Sequence, residues 1–425
     1  MKLRPIALLG LTIFVIPGIA PAQNAVTEWN NIAVKTELAG NSAIPANSPN
    51  GMALYLAYVH LAIHDAVNAI EHRYKPFGMP IEVPAGASVD AAVGAAAYTT
   101  LQFYFPLQAD MLTTQYNGWL AAIPDSGKAD GVAAGMAAAN QLIIMRAGDG
   151  HGAKVPYLYP NVPTPGIWIP TPQTPPAPPN TPPASPITPW MGQMMPFTMR
   201  SASQFLPEPP PSLSSWEWVH DYNQVKILGA TNSKVRTAKQ TETALFWTEN
   251  TSVQYARALR NLAGAYGLDP VDTARLFALV WTSSADALIG CWNAKYQHSF
   301  WRPITAIRNG DIDGNPATVP DPYWTPLANT PAHPEYPSAH GCFTGAVADS
   351  LRQYFGRSNF TFIVSSAVTH TVREIHSTWE LEEEVQKARI YAGIHYRHSV
   401  VEGADLGRKV ALQAFGDFFQ PEATK

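Results

Sequence analysis

The chain has 425 residues, of which 46% are hydrophobic and 11% aromatic, so it can bury one large core or two smaller ones, and both disorder and a disulfide-stapled miniprotein are excluded. Lysine and arginine total 28 against 32 acidic residues, for a formal net charge of −4, and no long basic run is present, which disfavours a nucleic-acid partner. Only 14% of the residues are charged and 39 are proline, nearly twice the usual share of about 5%, so long ordered loops should cover much of the surface.

Residues 1–22 have the pattern of a secretory signal peptide. Lys2 and Arg4 precede a short apolar stretch, and Ala20-Pro21-Ala22 matches the A-x-A cleavage pattern. The apolar stretch has about 15 residues and contains Pro17, so it falls short of the roughly 20 residues that span a bilayer. We therefore expect an exported protein, periplasmic or secreted, whose mature chain has no membrane span.

Residues 23–425 are predicted to form a single all-α domain, because apolar residues recur mostly at three- and four-residue steps and strand-like alternation is rare. In the last predicted helix, Gly403 and Gly407 lie on one face, where another helix could approach closely. No period of about 20 to 50 residues repeats clearly, so a solenoid is not indicated. The predicted helices cover residues 51–74, 88–105, 109–121, 128–146, 213–228, 239–266, 270–308, 339–355, 360–376, 381–394 and 400–418.

Residues 155–211 form a proline-dense segment that interrupts the helical pattern. A flexible linker between two domains is one interpretation. The aromatic and methionine content exceeds what a solvated spacer needs, which favours an ordered loop lying over the helices or over a pocket mouth. The large side chains in question are Trp168, Trp190, Met191, Met194 and Met195.

The chain has two cysteines, Cys291 and Cys342. Export would expose them to an oxidising compartment, where they could pair. The alternative is that both are small buried apolar residues, and the sequence leaves the choice open.

Three short segments within residues 290–405 carry most of the chemistry. Lys295 and Arg302 are seven residues apart near the end of a predicted helix, which would place both cations two turns apart on one face. The run Pro337-Ser338-Ala339-His340 precedes another predicted helix, so its serine and the first backbone N–H groups lie where an anion would be held. Arg389 and His395 are six residues apart, near enough to face one cavity.

An isolated lysine or arginine usually lies on a solvated face, and an isolated histidine is usually a hydrogen-bonded core residue. Three cations on mostly apolar helices are different, because they would repel each other and lose their hydration unless an anion joined them. Charge-assisted hydrogen bonds contribute about 1.5 to 3 kcal/mol each, so several of them can hold an oxyanion tightly. The sequence therefore predicts an oxyanion site.

The order K-x6-R-P, P-S-x-H and R-x5-H over residues 295–395 resembles the type 2 phosphatidic acid phosphatase superfamily, which includes the bacterial acid phosphatases and the vanadium-dependent haloperoxidases. The run AIHDAVNAI at residues 62–70 looks like the exported bacterial branch of the haloperoxidases. The resemblance implies an all-helical bundle, of the haloperoxidase and acid phosphatase type, with the oxyanion buried at its end.

The resemblance also implies which residues hold the oxyanion. Lys295, Arg302 and Arg389 would neutralise the equatorial oxygens of vanadate or phosphate. Ser338 and the backbone N–H of Ala339 would complete the cradle. The family usually has glycine at the position of Ala339, and an alanine there would be strained if its φ were positive.

Two histidines take the remaining roles that the resemblance implies. His395 would be the axial ligand of vanadate or a nucleophile, and His340 would be the acid–base group. Four residues after the first histidine the superfamily often carries an aspartate that orients the imidazole, whereas this chain has Ser399. A hydroxyl can accept the ring N–H but cannot stabilise an imidazolium as a carboxylate does.

Two further residues are candidates for the halide side of the pocket. Trp292 lies three residues before Lys295, as in chloroperoxidase relatives, and plain core packing is its alternative role. His333 lies seven residues before His340, where bromo- and iodoperoxidases have histidine and chloroperoxidases have phenylalanine. Its alternative is a loop histidine without a role in the site.

The leading hypothesis is an exported vanadate-dependent haloperoxidase that uses hydrogen peroxide to oxidise bromide or iodide, rather than chloride, to hypohalous acid. The second is a soluble exported acid phosphatase, in which His395 attacks a small phosphoester to form a phosphohistidine and His340 protonates the leaving group. Because phosphate and vanadate share charge and shape, phosphate should compete for the site. A third hypothesis is a non-enzymatic envelope protein whose proline-dense segment binds a partner, although two imidazoles exceed what passive anion binding requires. The sequence leaves the oligomeric state open.

Overall fold

The computed structural model describes residues 24–40, 49–172 and 185–422, so the predicted signal peptide and part of the proline-dense segment lie outside the described residues. Within them, α-helices dominate, which confirms the predicted all-α class. The helices are α1 (Ala25–Ala39), α2 (Pro49–Glu71), α3 (Val89–Tyr104), α4 (Ala109–Ala122), α5 (Lys128–Met145), α6 (Trp216–Leu228), α7 (Ala238–Phe246), α8 (Thr251–Ala265), α9 (Pro270–His298), α10 (Pro303–Arg308), α11 (Ala339–Phe355), α12 (Thr378–Tyr391) and α13 (Arg397–Asp417).

Helix α9 is the centre of the fold. It begins at Pro270, after an Asp269 side chain that accepts a hydrogen bond from the Asp272 N–H and caps the helix. Nearly every residue from Val271 to Lys295 is buried, as expected for a helix that is apolar all round. It packs against α2 on one side and against α11 and α13 on the other, so the site at its C-terminal end is surrounded by core helices.

Helix α2 is the one described helix that is long and apolar enough to cross a membrane by length and composition. In the structure, 94% of the corresponding window is buried inside the protein. The helix packs against α9, α3 and α5, which is the environment of a core helix.

The tightest helix pair is α11 against α13, and small residues make it possible. A Cβ on Gly407 would lie 2.1 Å from the carbonyl oxygen of Cys342, and one on Gly403 would lie 2.6 Å from that of Ser338. On the facing helix, a Cβ on Gly345 would lie 2.3 Å from the carbonyl oxygen of Ala404. The face of Gly403 and Gly407 thus meets another helix, as its sequence predicts, and this contact fixes the start of α11.

The predicted helix over residues 360–376 is wrong. The segment forms an antiparallel hairpin of β1 (Asn359–Ser366) and β2 (Thr371–Ser377), with Phe362 opposite Ile375. Its β-branched and aromatic residues favour strands, and every second side chain of β1 is buried. This alternation of period two outweighs the helical spacing that also fits the segment.

Two long predicted helices are each broken in the structure. Residues 239–266, predicted as one helix, instead form α7 and α8. The break occurs because Asn250 caps a new helix by accepting hydrogen bonds from the Ser252 and Val253 N–H groups. The prediction for residues 270–308 contains α9 and α10, with Ser299 in the left-handed region at φ 49° between them. Helix α1 has no counterpart in the prediction.

We expect Gly407→Ala to destabilise the protein by about 1 to 3 kcal/mol, because its Cβ would force two backbones apart. Gly416→Ala in the same helix is the matched control: no atom of the described residues lies within 4 Å of its added Cβ, so it should stabilise by about 0.5 to 1 kcal/mol. Urea denaturation of both variants measures this. Equal stabilities for the two variants would contradict the close approach of α11 and α13.

Candidate oxyanion-binding site

Three buried cations meet beyond the C-terminal end of α9. Lys295, Arg302 and Arg389 are 0%, 0% and 1% exposed, and they come from α9, from the turn before α10 and from α12. The prediction that the first two lie two turns apart on one helix face is wrong. Helix α9 ends at His298, and Pro303 can only begin the next helix, so Arg302 lies in the turn between the two helices.

The first two cations are held by one short segment, residues 333–337, which we name the carbonyl loop. Lys295 Nζ donates to the carbonyl oxygens of Pro334 and Glu335, both at 3.0 Å, and to that of Pro337. Arg302 Nε donates to the carbonyl oxygen of His333 at 2.9 Å. The ammonium of Lys295 therefore braces the loop with all three of its hydrogens and contributes its charge to the site.

The guanidinium of Arg302 also organises two imidazoles. Its Nη1 lies 3.2 Å from His395 Nε2, and its Nη2 lies 2.9 Å from His333 Nδ1. A guanidinium can only donate hydrogen bonds, so His395 Nε2 is an acceptor. His333 Nδ1 also lies 3.1 Å from the carbonyl oxygen of Pro334, so this nitrogen contacts both a donor and an acceptor. On the opposite edge of the ring, His395 Nδ1 lies 2.8 Å from Glu335 Oε1 and must donate to it. His395 thus carries its proton on Nδ1 and presents the Nε2 lone pair to the cations.

Ser338 and Ala339 begin α11 as their sequence predicts. Ser338 is the N-cap, accepting from the Gly341 N–H at 3.4 Å, and its own N–H donates to the Ser399 carbonyl oxygen at 2.9 Å. Ala339 is not among the residues with positive φ, so the strain considered for an alanine here does not arise. Its N–H, in the first turn of a helix, is oriented as an anion requires.

His340 lies beside the third cation. Its Nε2 is 3.2 Å from Arg389 Nη1 and 2.9 Å from Thr251 Oγ1, and Arg389 Nη2 donates to the carbonyl oxygen of Trp247 at 2.8 Å. Since the arginine can only donate, His340 Nε2 is an acceptor and is the basic atom of the ring.

Trp292 and His333 form one wall of the cavity. Their ring centroids are 5.1 Å apart, and both side chains are buried. Trp292 Nε1 donates to the carbonyl oxygen of Ile187 at 3.1 Å, and the Ile187 N–H donates to that of Ala332 at 2.8 Å. The proline-dense segment therefore lies over the site here. The cavity has a volume of about 120 Å³, and its lining includes Ile187, Trp292, His333, Ala339, His340 and His395.

Burial lowers the pKa of Lys295 to about 8 and the pKa of both Arg302 and Arg389 to about 10. Among the described residues, none of the three forms an ion pair with a carboxylate; the buried acid beside them, Glu335, is paired with His395. Burial raises the pKa of Glu335 to about 7, against the opposing effect of Arg302 and Lys295. The site therefore holds more positive than negative charge.

The three imidazoles of the site are neutral. Burial, and then the charge of neighbouring cations, holds the pKa of His333, His340 and His395 well below the ordinary value of 6.5. An anion bound among the cations would offset the effect of their positive charge and so raise the pKa of each of the three rings.

The donor set fits an oxyanion. Arg389 Nε is buried and has no hydrogen-bond partner among the described residues, so one strong donor remains to be satisfied. His395 Nε2 supplies a lone pair next to this donor set. The described part of the chain has no cluster of three or more histidine, cysteine, aspartate or glutamate side chains that could hold a metal cation. The chemistry of the site is thus that of an anion held by cations, with one nitrogen able to bond its central atom.

Sequence reasoning missed Glu335 and Thr251. The signal for Glu335 is a lone carboxylate in a proline-rich run, His333-Pro334-Glu335-Tyr336-Pro337, in which burial would require a partner. Thr251 offers no signal, because its contact with His340 joins residues 89 positions apart in sequence.

Cys291 and Cys342 are free, buried thiols in the structure. Cys291 Sγ lies 3.6 Å from the carbonyl oxygen of Pro337, behind the carbonyl loop. Both therefore occupy core positions next to the site.

Comparison with known proteins points to one group. Residues 275–421 match the family model described as the VCPO second helical-bundle domain. The chain is 28% identical over 282 residues to the vanadium chloroperoxidase of Curvularia inaequalis, and the match covers 49% of this chain and 46% of that protein. The chain thus spans about half the length of this curated relative.

The fold is also similar to solved structures. One is described as the first bacterial vanadium-dependent iodoperoxidase, with a TM-score of 0.76 and 22% identity over 93% of this chain and 97% of that one. Another is a holo-type bacterial vanadium-dependent chloroperoxidase, with a TM-score of 0.72 and 16% identity over 94% and 98% of the two chains. At these identities the likeness establishes the fold.

We expect the affinity of the protein for sulfate, whose charge is constant above neutral pH, to fall by about tenfold between pH 7.5 and 9.5. The Lys295 ammonium is charged below its pKa of about 8 and loses its charge as the pH rises through that value. Lys295→Gln keeps donors for the carbonyl loop but removes the charge, so its sulfate affinity should be lower at pH 7.5 and change less with pH. Calorimetric titration measures the sulfate affinity of both proteins. Parallel pH profiles would rule out Lys295 as the source of the pH dependence.

Proposed function

We propose that this protein is a vanadate-dependent haloperoxidase, because residues 275–421 match the VCPO second helical-bundle model and the fold is similar to that of bacterial vanadium haloperoxidases. In this activity hydrogen peroxide oxidises a halide to hypohalous acid. The observation that carries the proposal is the His395 ring, which Glu335 fixes at Nδ1 and which presents Nε2 to three buried cations. Within the part of the chain that the structure describes, these cations form no ion pair with a carboxylate.

The residues of the site suit vanadate. His395 would bond vanadium through Nε2, while Arg302, Arg389 and the charge of Lys295 would neutralise the oxygens. Ser338 and the Ala339 N–H, at the start of α11, would complete the cradle. When bound, vanadate would supply a Lewis acid that activates hydrogen peroxide toward attack by a halide.

His340 would carry the protons of this reaction. It is neutral, and its basic Nε2 lies between Arg389 and Thr251 at the edge of the cavity. An anion among the cations would raise the pKa of this ring, so that Nε2 could take a proton from incoming hydrogen peroxide and return it to the product. The small cavity, lined by Leu288, Trp292 and Phe343 among others, would limit water at the reacting centre.

We also propose bromide or iodide, rather than chloride, as the halide. Support comes from the position of His333, whose ring lies in the cavity wall against Trp292 and contacts Arg302. An imidazole there can hydrogen-bond bound peroxide or shift the proton balance of the site. Chloride is the hardest of the three halides to oxidise. One structural neighbour is an iodoperoxidase, and another is a chloroperoxidase.

A second candidate function is an acid phosphatase. Ser399 stands where the superfamily often has an aspartate that orients the imidazole, which argues against a histidine nucleophile. However, the Glu335 carboxylate accepts a hydrogen bond from Nδ1 of the His395 ring. With the Nδ1 proton held there, His395 Nε2 could attack phosphorus, and His340 could protonate the departing oxygen. Assays of the purified protein with and without vanadate, for peroxide-dependent halide oxidation and for phosphoester hydrolysis, distinguish the two functions.

Export remains a proposal that depends on the pattern of residues 1–22.

His395→Ala should lose bound vanadium, from about one atom per chain to nearly none, together with all halide oxidation, because the bond to Nε2 is removed. Phosphate should still bind the variant and should compete with vanadate in the unaltered protein, since the three cations read oxyanion charge and shape. Elemental analysis and calorimetry measure these effects, with circular dichroism to confirm the helical fold. Stoichiometric vanadium in the variant would refute His395 as the ligand.

The unaltered protein should oxidise bromide or iodide with little chloride turnover, and His333→Phe should change halide preference and shift the pH profile of activity. Phenylalanine keeps the contact with Trp292 but removes the nitrogen that contacts Arg302. Steady-state rates for the three halides across pH measure this. If the protein oxidises chloride as readily as bromide, or if the variant changes neither property, His333 is a structural residue only.

A further inference from the structure

The imidazole of His395 depends on one carboxylate for its orientation. Glu335 is 0% exposed, and its Oε1 accepts from His395 Nδ1 at 2.8 Å and from the Tyr396 N–H at 3.0 Å. These two contacts fix the ring and the backbone beside it. Because the imidazole is neutral, the contact with Glu335 is a hydrogen bond to a carboxylate.

In the superfamily that this chain resembles, an aspartate at the position of Ser399 often orients the imidazole. In this chain Ser399 has a different role. Ser399 Oγ donates to the Glu335 carbonyl oxygen at 3.4 Å, and the Ser399 carbonyl oxygen accepts from the Ser338 N–H at 2.9 Å. Residue 399 therefore holds the backbone at both ends of the segment from Glu335 to Ser338. The acceptor for the imidazole is on this segment instead of on α13.

We propose that Glu335 is the positioning residue that keeps the Nε2 lone pair of His395 directed at the oxyanion, in place of an acid at position 399. The inference deepens the proposed function, because a fixed Nε2 matters most for a ligand that bonds to it. The carbonyl loop then has two functions: its backbone binds two cations, and its one carboxylate orients the imidazole of His395.

Two simpler roles for Glu335 predict different effects. If it only balanced positive charge, its removal would tighten binding of every oxyanion, because a negative charge next to the anion would be lost. If it only supported the fold, its removal would weaken binding of every oxyanion. A positioning residue gives opposite signs: vanadate, which bonds to Nε2, should bind more weakly, whereas phosphate, held by the cations, should bind equally or more tightly. The cations contact the backbone of the carbonyl loop, which a substitution of Glu335 retains.

The test is calorimetric titration of the protein, freed of bound anions, with orthovanadate and separately with inorganic phosphate. Glu335→Ala should lower vanadate affinity by about 10- to 100-fold, the usual effect of removing the partner of a ligating histidine, and leave phosphate affinity equal or higher. Glu335→Gln, which keeps an acceptor oxygen and nearly the same volume, should lose less vanadate affinity. Glu374→Ala, which removes an exposed carboxylate on β2, is the control, with both affinities within about twofold of the unaltered protein. Changes of the same sign for both anions would overturn the proposal.

The Nδ1 proton of His395 supplies a readout that does not depend on vanadate. In spectra of protein with ¹⁵N-labelled histidine, the unaltered chain and the Glu335 variants should all show His395 protonated at Nδ1, because Arg302 still donates to Nε2. In the unaltered chain this proton should be shifted downfield and exchange slowly with solvent, because the Glu335 carboxylate accepts from it, and Glu335→Ala should lose both properties. The double variant Glu335→Ala with Ser399→Asp should restore them. An unchanged Nδ1 proton signal in Glu335→Ala would overturn the positioning role, whereas failure of the unaltered protein to bind vanadate would overturn the proposed function alone.

Discussion

The repulsion among three buried cations is the constraint on which the rest of the site depends. Lys295, Arg302 and Arg389 are almost fully removed from water and lack carboxylate partners among the described residues. Their burial lowers the pKa of each, which is the expected sign when charge is desolvated without full compensation. The fold accommodates this burial because carbonyl oxygens accept hydrogen bonds from Lys295 and Arg302. Arg389 Nε has no partner among the described residues and can donate to a ligand.

The proline content of the carbonyl loop is part of this arrangement. A proline has no N–H, so Pro334 and Pro337 bring carbonyl oxygens into the core without bringing donors that would need partners. The residue before a proline is biased to extended conformations, which prevents the carbonyls from turning into a helix. Carbonyls of the loop are therefore free to accept from Lys295 and Arg302. Glu335, between the two prolines, places its carboxylate on His395.

The sequence predicts the helical class and the identity of the residues around the site, because both follow from apolar spacing and from short local motifs. Where prediction failed, a competing local preference decided the structure: alternating β-branched and aromatic residues for the hairpin at 359–377, and Pro303 for the break after α9. Glu335 could not be assigned to His395 because the two are 60 residues apart in sequence and meet only through folding.

In the proposed function, one cradle would serve either vanadate or phosphate because its cations recognise oxygens, so other groups must select the chemistry. Before any anion binds, His340 and His395 are neutral, each presenting an unprotonated Nε2 to an arginine. An anion that draws these arginines to its oxygens would free both nitrogens at once and raise the pKa of both rings. Anion binding would thereby leave His395 Nε2 free to bond the central atom and His340 Nε2 free to move a proton. The two histidines would then depend on the same binding event.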